Sequence, residues 1–551
     1  MPRRIALPIL LALAVGVYFV SLGSASIWDA NEAFYVETPR EMIEGRDYIN
    51  PSFNYLPRFN KPVLSYWIVA VFYKLFGVSV GVQRFPMALG ALVIIGCAFV
   101  LGWIAIERPA SAREELAAGY GEALWSAVGL AAAPRLVMFA RRIFIDIWIT
   151  AFMSLTLMFF ALAERYPARR RVCLVLMYVS VGLGALTKGP VAVALPALAF
   201  GLYLLVTRQP GRIREMMIPL GVVIVVAIVV PWYALLYREH GWTYISSFFI
   251  SENLQRYTSG LGVRQHRGVA FYLPVVFSDS FPISVFLFPA AAIWLRERSR
   301  IQTLLWCWIA AIVGFFSFSA GKQDLYIFPI VAAVAALGGA AMARGLCDPP
   351  WRGWLRWTLA ITGALLTVAG TAVEWLFEAG GRVYALNGAM AIGMCALVGG
   401  VLIFALAIAR RPVAAAIALL LVMIVIDYTF VARVLPDFER YKPVPAIAAI
   451  LRTRVQPEDV VANYQVALPS MVYYLERHVD EYFDEGPFVN AILSGRRVFA
   501  VLSAEDYDAL RPQIGARTCI LDRRPTFDVK LRSVISRQPL PELLVITNEC
   551  R

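Results

Sequence analysis

The sequence contains little histidine and cysteine, and it shows no internal repeat. Only three of its 551 residues are histidine and seven are cysteine. Cys519 and Cys550 lie near the C-terminus, and the sequence leaves open whether they pair. The other five cysteines fall in or beside apolar runs, where a free thiol behaves as a small hydrophobic group: Cys97, Cys173, Cys307, Cys347 and Cys395. The missing repeat argues against the transporters that are built from inverted repeats.

The N-terminus also lacks the small-residue cleavage site of a secretory signal peptide. An apolar run at 5–21 follows Met-Pro-Arg-Arg, and further apolar runs come after it instead of a soluble domain. We therefore interpret 5–21 as a membrane helix that enters from the cytoplasm.

Apolar residues are abundant and come in long blocks. They make up 60% of the chain, and the mean hydropathy is +0.66. Many blocks approach the ~20 residues that a helix needs to cross the hydrocarbon core of a bilayer. The net charge of +13 comes largely from arginines in short loops between blocks. That distribution is typical of positive loops retained in the cytoplasm, so we exclude nucleic acid as a partner.

The apolar blocks predict about thirteen membrane-spanning helices in residues 1–431. The stretch at 62–76 is short for a crossing, so it is predicted to be an interfacial or re-entrant helix in a long external loop, 22–85. The predicted spans are 5–21, 86–105, 120–137, 145–163, 173–187, 190–207, 216–236, 270–294, 302–319, 326–343, 354–374, 387–408 and 413–431. An odd number of spans and a cytoplasmic start place the C-terminus outside.

Residues 432–551 have a different composition and predict a small α/β domain. The segments VVANY and RRVFAVLS alternate as strands do, whereas PSMVYYLERH and SAEDYDALRP are typical of helices. The chain is thus predicted to be mainly α, with a helical membrane domain followed by an extracytoplasmic α/β domain.

Charged residues at the predicted external ends of the spans are the candidates for chemistry, because a charge near a membrane is costly. The first loop offers Asp29 and Glu32, although Asp29 or Asn31 could simply cap a helix that runs to Glu44. Arg58 and Lys61 lie beside aromatic residues and suit a lipid phosphate, and interfacial snorkelling is the alternative.

Three later segments add further candidates. Asp146 follows Arg141 and Arg142 at the head of a span, and the alternative role is an ion pair with a neighbouring arginine. Loop 237–269 carries Glu252, Arg256 and His266, and segment 321–326 carries Lys322 and Tyr326. Lys322 could equally do no more than end a helix. Several cations and few carboxylates on one face favour an anionic lipid substrate.

These segments, in this order, resemble the polyprenyl-phosphate-dependent glycosyltransferases of the GT-C fold, which include the protein O-mannosyltransferases. The likeness covers about residues 5–345. It is carried by the first loop, the stretch from Lys61 to Trp67, QRFP at 83–86, Asp146 and TKGP at 187–190. Within that class, IWDANEAFYVETPREM, ENLQRY and FFSFSAGKQDLYIFPI are similar to bacterial aminoarabinose transferases. The family usually has adjacent Asp-Glu in the first loop, whereas this chain has Asn31-Glu32.

The resemblance implies an inverting transfer of 4-amino-4-deoxy-L-arabinose from undecaprenyl phosphate to a lipid A phosphate. It implies a monomer in the bacterial inner membrane, with the active site and tail facing the periplasm. Glu32, Asp146 and Asp29 would be the catalytic carboxylates, and Glu485 a weak substrate contact. The lipid phosphate would be bound by Lys61, Arg256, Tyr326, Arg58, Lys322 and Tyr35.

Two other functions stay open from the sequence. A protein O-mannosyltransferase would need a carboxylate as general base, because a hydroxyl acceptor must lose a proton. A flippase for a lipid-linked sugar would need charges through the membrane midplane, and the apolar spans supply few. No cofactor is required for the transfer, and His266 with Glu252 is the candidate for a divalent metal.

Overall fold

The computed structural model describes residues 3–29, 32–58, 60–105, 112–142, 144–258, 267–378 and 383–550. Over these residues the chain is mainly helical, and a small mixed sheet lies near the C-terminus. The predicted fold class is therefore confirmed.

Nine helices in the described part of the chain are long and apolar enough to cross a membrane. They are Val80–Ile104, Ile145–Arg165, Pro167–Lys188, Ile218–His240, Arg300–Ser317, Asp324–Cys347, Pro349–Phe377, Asn387–Ile408 and Pro412–Glu439. Each coincides with a predicted span, because runs of about 20 apolar residues satisfy their backbone groups in lipid only as helices. The chain is a multi-pass membrane protein.

The predicted span 270–294 is not a straight helix. Val269–Asp279 and Ile283–Glu297 meet at an angle of 110°. Pro282 lies at the break and has no backbone N–H with which to continue a helix. The bent pair counts as one broken span or as a re-entrant loop.

The remaining predicted spans, 5–21, 120–137 and 190–207, also fall on helices. Arg3–Gly16 and Val191–Val206 are short, and the third region is divided between Ala112–Ala131 and Pro134–Phe139. Because these helices do not meet the same length and composition test, the count of about thirteen crossings stays a prediction.

The helix Asp324–Cys347 lies at the centre of the bundle, with most of its side chains buried. Gly339 allows the close packing of this helix against Ala112–Ala131. A Cβ at Gly339 would lie 2.5 Å from the backbone nitrogen of Ser126, closer than real Cβ contacts allow. Small residues play this part between membrane helices generally.

The loop 22–85, predicted to be external, contains helix Ala33–Glu44, a hairpin of β1 (Ser52–Phe53) and β2 (Leu56–Pro57), and helix Leu64–Phe76. The first helix ends at Glu44, as the sequence predicts, but Glu32 rather than Asp29 occupies its N-cap position. Asn31 lies outside the described residues. Leu64–Phe76 is the predicted short helix, and Leu75 and Phe76 at its end are exposed.

The tail contains a five-stranded sheet of order β4-β3-β5-β7-β6. Its strands are β3 (Val460–Tyr464), β4 (Asp480–Tyr482), β5 (Val498–Ser503), β6 (Cys519–Pro525) and β7 (Glu542–Thr547). β3 is parallel to β4 and β5, whereas β7 is antiparallel to β5 and β6. Cys519 and Cys550 form a disulfide. Helices Ser470–Leu475 and Ala504–Ile514 lie where the sequence predicts helices.

The other helical elements connect these parts. The short helices are Trp242–Ser246, Arg256–Thr258, Leu435–Glu439, Pro443–Arg452, Glu485–Leu493 and Leu531–Val534. The 3₁₀ turns are Pro167–Arg169, Pro210–Met216, Val269–Phe271, Ile283–Phe286, Asp324–Ile330 and Gly515–Arg517. The π-helical turns are Ser247–Gln255 and Phe430–Val434.

The tail packs against the first external loop. The side chain of Asn54 donates to the carbonyl of Val479 at 2.7 Å and accepts from its N–H at 2.8 Å. The hydroxyl of Tyr474 accepts from the N–H of Ile27 at 2.9 Å. These contacts hold the sheet over the side of the membrane bundle where the candidate residues lie.

Candidate active site

Glu32 is buried in an ion pair with Arg84, which lies in the QRFP segment. Arg84 Nε donates to Oε1 at 2.6 Å, and Arg84 Nη2 donates to Oε2 at 2.9 Å. The N–H of Trp28 also donates to Oε2, at 3.0 Å. Both carboxylate oxygens are therefore occupied, which favours a structural role for Glu32 over the predicted catalytic one.

Asp29 connects the first loop to the tail. It accepts a hydrogen bond from the N–H of Ser470 at 2.8 Å, at the start of helix Ser470–Leu475. Burial raises the pKa of Asp29, and the hydrogen bonds from Ser470 oppose that rise. Asp29 thus caps a helix of the tail rather than the helix that follows it in sequence.

Asp146, Lys188 and Tyr326 meet where three helical elements begin or end. Asp146 lies in the first turn of Phe144–Arg165, and Lys188 is the last residue of Arg170–Lys188. Lys188 Nζ donates to Asp146 Oδ1 and lies 5.6 Å from the ring centroid of Tyr326. The alternative of an ion pair between Asp146 and a neighbouring arginine is wrong, because the partner is Lys188 of the TKGP segment.

Arg58 and Lys61 lie among aromatic residues, as the sequence predicts. The guanidinium carbon of Arg58 is 3.7 Å from the ring centroid of Phe34. The carbonyl of Lys61 accepts from the hydroxyl of Tyr244 at 3.0 Å. This bond fixes the backbone of Lys61 just before the helix Leu64–Phe76.

Tyr35 lies in a buried aromatic group below this loop. Its ring stacks on Tyr66 with centroids 5.6 Å apart. The buried hydroxyls of Tyr66 and Tyr233 have no hydrogen-bond partner among the side chains and backbone that the structure describes. Since a buried polar group without a partner is costly, these hydroxyls are available to a polar ligand.

Lys322 is held inside the protein. Its ammonium donates to the carbonyl of Ser319 at 2.6 Å, just after helix Arg300–Ser317. This contact favours the helix-ending role over phosphate binding. Arg135, which the sequence did not single out, pairs with Asp324 and lies 3.3 Å from Asp279.

The other candidates are placed only in part. Arg256 and Glu252 lie in the helical segment 247–258, but their side chains, like all of His266, are outside the described residues. Glu485 is exposed and accepts from Gln513 at 2.5 Å within the tail. Among the described side chains no group of three His, Cys, Asp or Glu residues can hold a metal, and the metal proposed at His266 and Glu252 stays a prediction.

Two cations that pair with candidate carboxylates, Lys188 and Arg84, were missed by sequence reasoning although their segments were recognised. TKGP and QRFP served as family features, without roles for the cations in them. Each cation is identified by its ion-pair partner, which is distant in sequence. Arg84 is 52 residues from Glu32, and Lys188 is 42 residues from Asp146.

Comparison with known proteins agrees with this arrangement. A family described as dolichyl-phosphate-mannose-protein mannosyltransferase matches residues 60–234. An undecaprenyl phosphate-aminoarabinose transferase of Pseudomonas fluorescens is 27% identical over 68% of this chain and 64% of its own length. One from Pseudomonas aeruginosa is 30% identical over 61% of this chain and 60% of its own length. The aligned region thus spans less than two thirds of either relative.

A solved structure matches almost the whole chain. The crystal structure of ArnT from Cupriavidus metallidurans bound to undecaprenyl phosphate is 25% identical, with a TM-score of 0.79 and 98% of both chains covered. Its apo form gives a TM-score of 0.78.

In fold and in sequence the chain is similar to the polyprenyl-phosphate-dependent glycosyltransferases of the GT-C fold. Within that class, it is related to the undecaprenyl phosphate-aminoarabinose transferases.

Proposed function

We propose that this protein transfers 4-amino-4-deoxy-L-arabinose from undecaprenyl phosphate to a phosphate of lipid A, on the periplasmic face of the inner membrane. The observation that carries the proposal is the match to a structure bound to undecaprenyl phosphate, over 98% of both chains. Such a modification lowers the negative charge of lipopolysaccharide, so the expected physiological role is resistance to polymyxin and other cationic peptides.

The donor phosphate is assigned to the external ends of the helices around Lys188. Lys188 and Tyr326 belong to different elements and converge there, and Lys61 comes from the first loop. In the reaction an acceptor phosphate oxygen bonds to the anomeric carbon. The bond from that carbon to the donor oxygen breaks, and its electron pair stays on the polyprenyl phosphate. Preorganised cations stabilise the charge that develops on this leaving group.

The acceptor phosphate is already ionised at neutral pH, so the step needs no strong general base. This fits Asp146, whose carboxylate is engaged by Lys188. In this scheme Asp146 positions the Lys188 ammonium and adds negative charge near the aminosugar and the developing oxocarbenium ion. The tail packs on the first loop through Asn54 and Ile27, and we assign it the role of a lid that helps to admit the acceptor.

A protein O-mannosyltransferase is the second candidate, because the matching family description names that activity. A hydroxyl acceptor must lose a proton, so one carboxylate would have to act as base. Both oxygens of Glu32 are occupied by hydrogen bonds, and Asp146 is paired with Lys188. The geometry therefore favours an acceptor that is already anionic.

The direct test uses the purified full-length chain with undecaprenyl phosphate-linked aminoarabinose as donor. Lipid A, dephosphorylated lipid A and a Ser/Thr-rich peptide serve as separate acceptors. Transfer to lipid A alone supports the proposal. Transfer to the peptide, or equal transfer to dephosphorylated lipid A, would replace it with a hydroxyl-acceptor activity.

A further inference from the structure

The predicted external ends of the last two spans border an open cavity of about 640 Å³. Helix Asn387–Ile408 contributes its beginning, and helix Pro412–Thr429 contributes its end together with the π-helical turn Phe430–Val434. The volume falls in the range of roughly 300–1,000 Å³ that is typical of pockets for small molecules. No candidate active-site residue whose side chain the structure describes lines this cavity. It is therefore a separate site.

Arg433 of the π-helical turn lines the cavity and is exposed. Among the side chains and backbone that the structure describes, no group forms an ion pair or a hydrogen bond with its guanidinium. The acid beside it, Asp437, is already engaged, because it accepts from Arg440 at 2.6 Å and from the N–H of Gly388 at 2.8 Å. Since Asp437 and Arg440 offset each other, one positive charge at the cavity is left without a counter-charge.

Close packing fixes the backbone of Arg433 beside the beginning of helix Asn387–Ile408. A Cβ at Gly388 would lie 2.8 Å from the Cβ of Arg433 and 2.7 Å from the backbone nitrogen of Val434. Contacts this short do not occur between real side chains and backbone, so glycine is needed for this approach. The arginine is therefore held at the cavity by the packing of two helices.

An exposed apolar stripe leads from the cavity along each of the two helices. Its residues follow one another at helical spacing, and they are Ala391, Met394 and Val398 on one helix and Val425 and Leu421 on the other. Exposed apolar side chains within a membrane span face the acyl chains of lipids. Arg433 lies two residues beyond the end of the predicted span 413–431, which places the cavity at the depth of the lipid headgroups.

The charge and shape of the cavity favour a phosphodiester. A guanidinium presents parallel N–H groups that match two oxygens of a phosphate. A phosphodiester carries one negative charge, which matches the single unpaired cation. A phosphate monoester carries about −1.5 to −2 at neutral pH, so its additional charge would face Asp437. A headgroup with an ammonium group would cancel the attraction to Arg433.

We propose that this cavity binds an anionic glycerophospholipid of the external leaflet, with the phosphodiester on Arg433 and an acyl chain along the apolar stripes. The lipid then joins the beginning of one span to the end of the other. The tail is attached next to this point, where the N–H of Ala385 donates to the hydroxyl of Tyr441 at 2.8 Å. The bound lipid therefore stabilises the junction between the bundle and the tail.

The first test is native mass spectrometry of the detergent-solubilised full-length chain, titrated with phosphatidylglycerol. Arg433→Gln should weaken the tightest binding event by about tenfold or more, as for the loss of a hydrogen bond to a charged group. Arg433→Lys should restore the affinity in part, because an ammonium keeps the charge without the planar fork.

Arg238→Gln is the matched control for Arg433→Gln. Arg238 is exposed and also lies two residues beyond a predicted span, 216–236, but it does not line the cavity. Its removal should change the affinity by less than about twofold, because an isolated exposed charge contributes little. Equal weakening in the two variants would mean that any arginine at headgroup depth attracts the lipid, and it would overturn the site.

The second test fills the cavity and leaves its charge in place. Ala391→Phe adds a ring at an exposed cavity position and keeps Arg433. Phosphatidylglycerol should raise the melting temperature of the wild-type chain, because a ligand that binds the folded state stabilises it. This rise should be lost in both Ala391→Phe and Arg433→Gln. An unchanged rise in Ala391→Phe would reject the cavity as the binding site.

Competition identifies the class of lipid. Phosphatidylcholine, undecaprenyl phosphate and lipid A should each displace phosphatidylglycerol only at higher concentration. Stronger Arg433-dependent binding of undecaprenyl phosphate or lipid A would identify an entrance for a substrate and reject the phospholipid. Equal binding of phosphatidylcholine would reject the requirement for a net negative charge. Because Lys188, Asp146 and Tyr326 do not line the cavity, none of these outcomes depends on whether the chain transfers aminoarabinose.

Discussion

At the residue scale, the acids and bases of the external face are coupled in pairs that are distant in sequence. Lys188 and Asp146 form one pair, and Arg84 and Glu32 form the other. The first pair lies beside Tyr326, whereas the second ties the first loop to the next helix. The two pairs should therefore respond differently to mutation.

Lys188→Ala should reduce turnover by about tenfold or more, because a hydrogen bond to a charged group contributes roughly 1.5–3 kcal/mol. Asp146→Asn should also reduce turnover, since it loosens the ammonium that faces the donor phosphate. The double variant should be little worse than Lys188→Ala, because interacting residues are not additive. Initial rates with a fixed lipid A concentration measure all three. Strictly additive losses would show that the two residues act independently.

Glu32→Gln should act on stability more than on turnover. Removing one partner of a buried ion pair leaves an uncompensated charge and costs roughly 3–5 kcal/mol. We expect a lower melting temperature and less inserted protein, with near-normal turnover per folded molecule. Fluorescence-detected size-exclusion chromatography with heating gives the melting temperature and the amount of inserted protein. A well-folded Glu32→Gln protein without activity would support the catalytic role of Glu32 that the sequence predicts.

At the element scale, the helix Ala33–Glu44 holds the hairpin that docks the tail. Glu41 of this helix accepts from the hydroxyl of Ser52 at 2.6 Å and from the N–H of Tyr55 at 3.1 Å. Burial raises the pKa of Glu41 from 4.5 to about 7, and the nearby Glu37 adds to the rise. The attachment of the hairpin is therefore sensitive to pH.

The sign of this dependence follows from proton binding. The folded protein holds the Glu41 proton more tightly than the unfolded chain does. The contribution of protonated Glu41 to the stability of the fold is therefore complete at low pH. It is lost as pH rises from 4.5 to about 7. Glu41→Gln should flatten the fall in melting temperature between about pH 4.5 and about pH 7. The same slope in wild type and Glu41→Gln would mean that another group titrates.

Hydropathy predicted the elements better than the site. Runs of about 20 apolar residues allow little besides helices in a membrane, so the helical blocks could be located. Alternation located two of the five tail strands, Val460–Tyr464 and Val498–Ser503. The bend at Pro282 could not be predicted, because proline is tolerated in many membrane helices. The partners of Asp146 and Glu32 could not be predicted either, because they depend on how helices pack rather than on local sequence. Asp29 was a catalytic candidate with a cap of its own helix as the alternative, whereas its hydrogen-bond partner Ser470 lies in the tail.

At the scale of the whole molecule, the proposed topology has the tail outside the cytoplasm, over the first loop. The disulfide between Cys519 and Cys550 agrees with this location, because disulfides persist in oxidising compartments. A cysteine introduced at the exposed Arg496 should react with a membrane-impermeant maleimide in intact spheroplasts. Cys347, which is exposed in a predicted cytoplasmic loop, should react only after lysis. The reverse pattern would invert the orientation.

The proposed reaction adds an aminopentose to lipid A. The most direct measurement is mass spectrometry of lipid A from a strain deleted for this protein, with plasmids that supply wild type, Lys188→Ala or nothing. We expect aminoarabinose-modified lipid A with wild type, a strong reduction with an equally abundant Lys188→Ala protein, and none with the empty plasmid. Identical lipid A in all three strains, under conditions where the donor lipid is made, would contradict it.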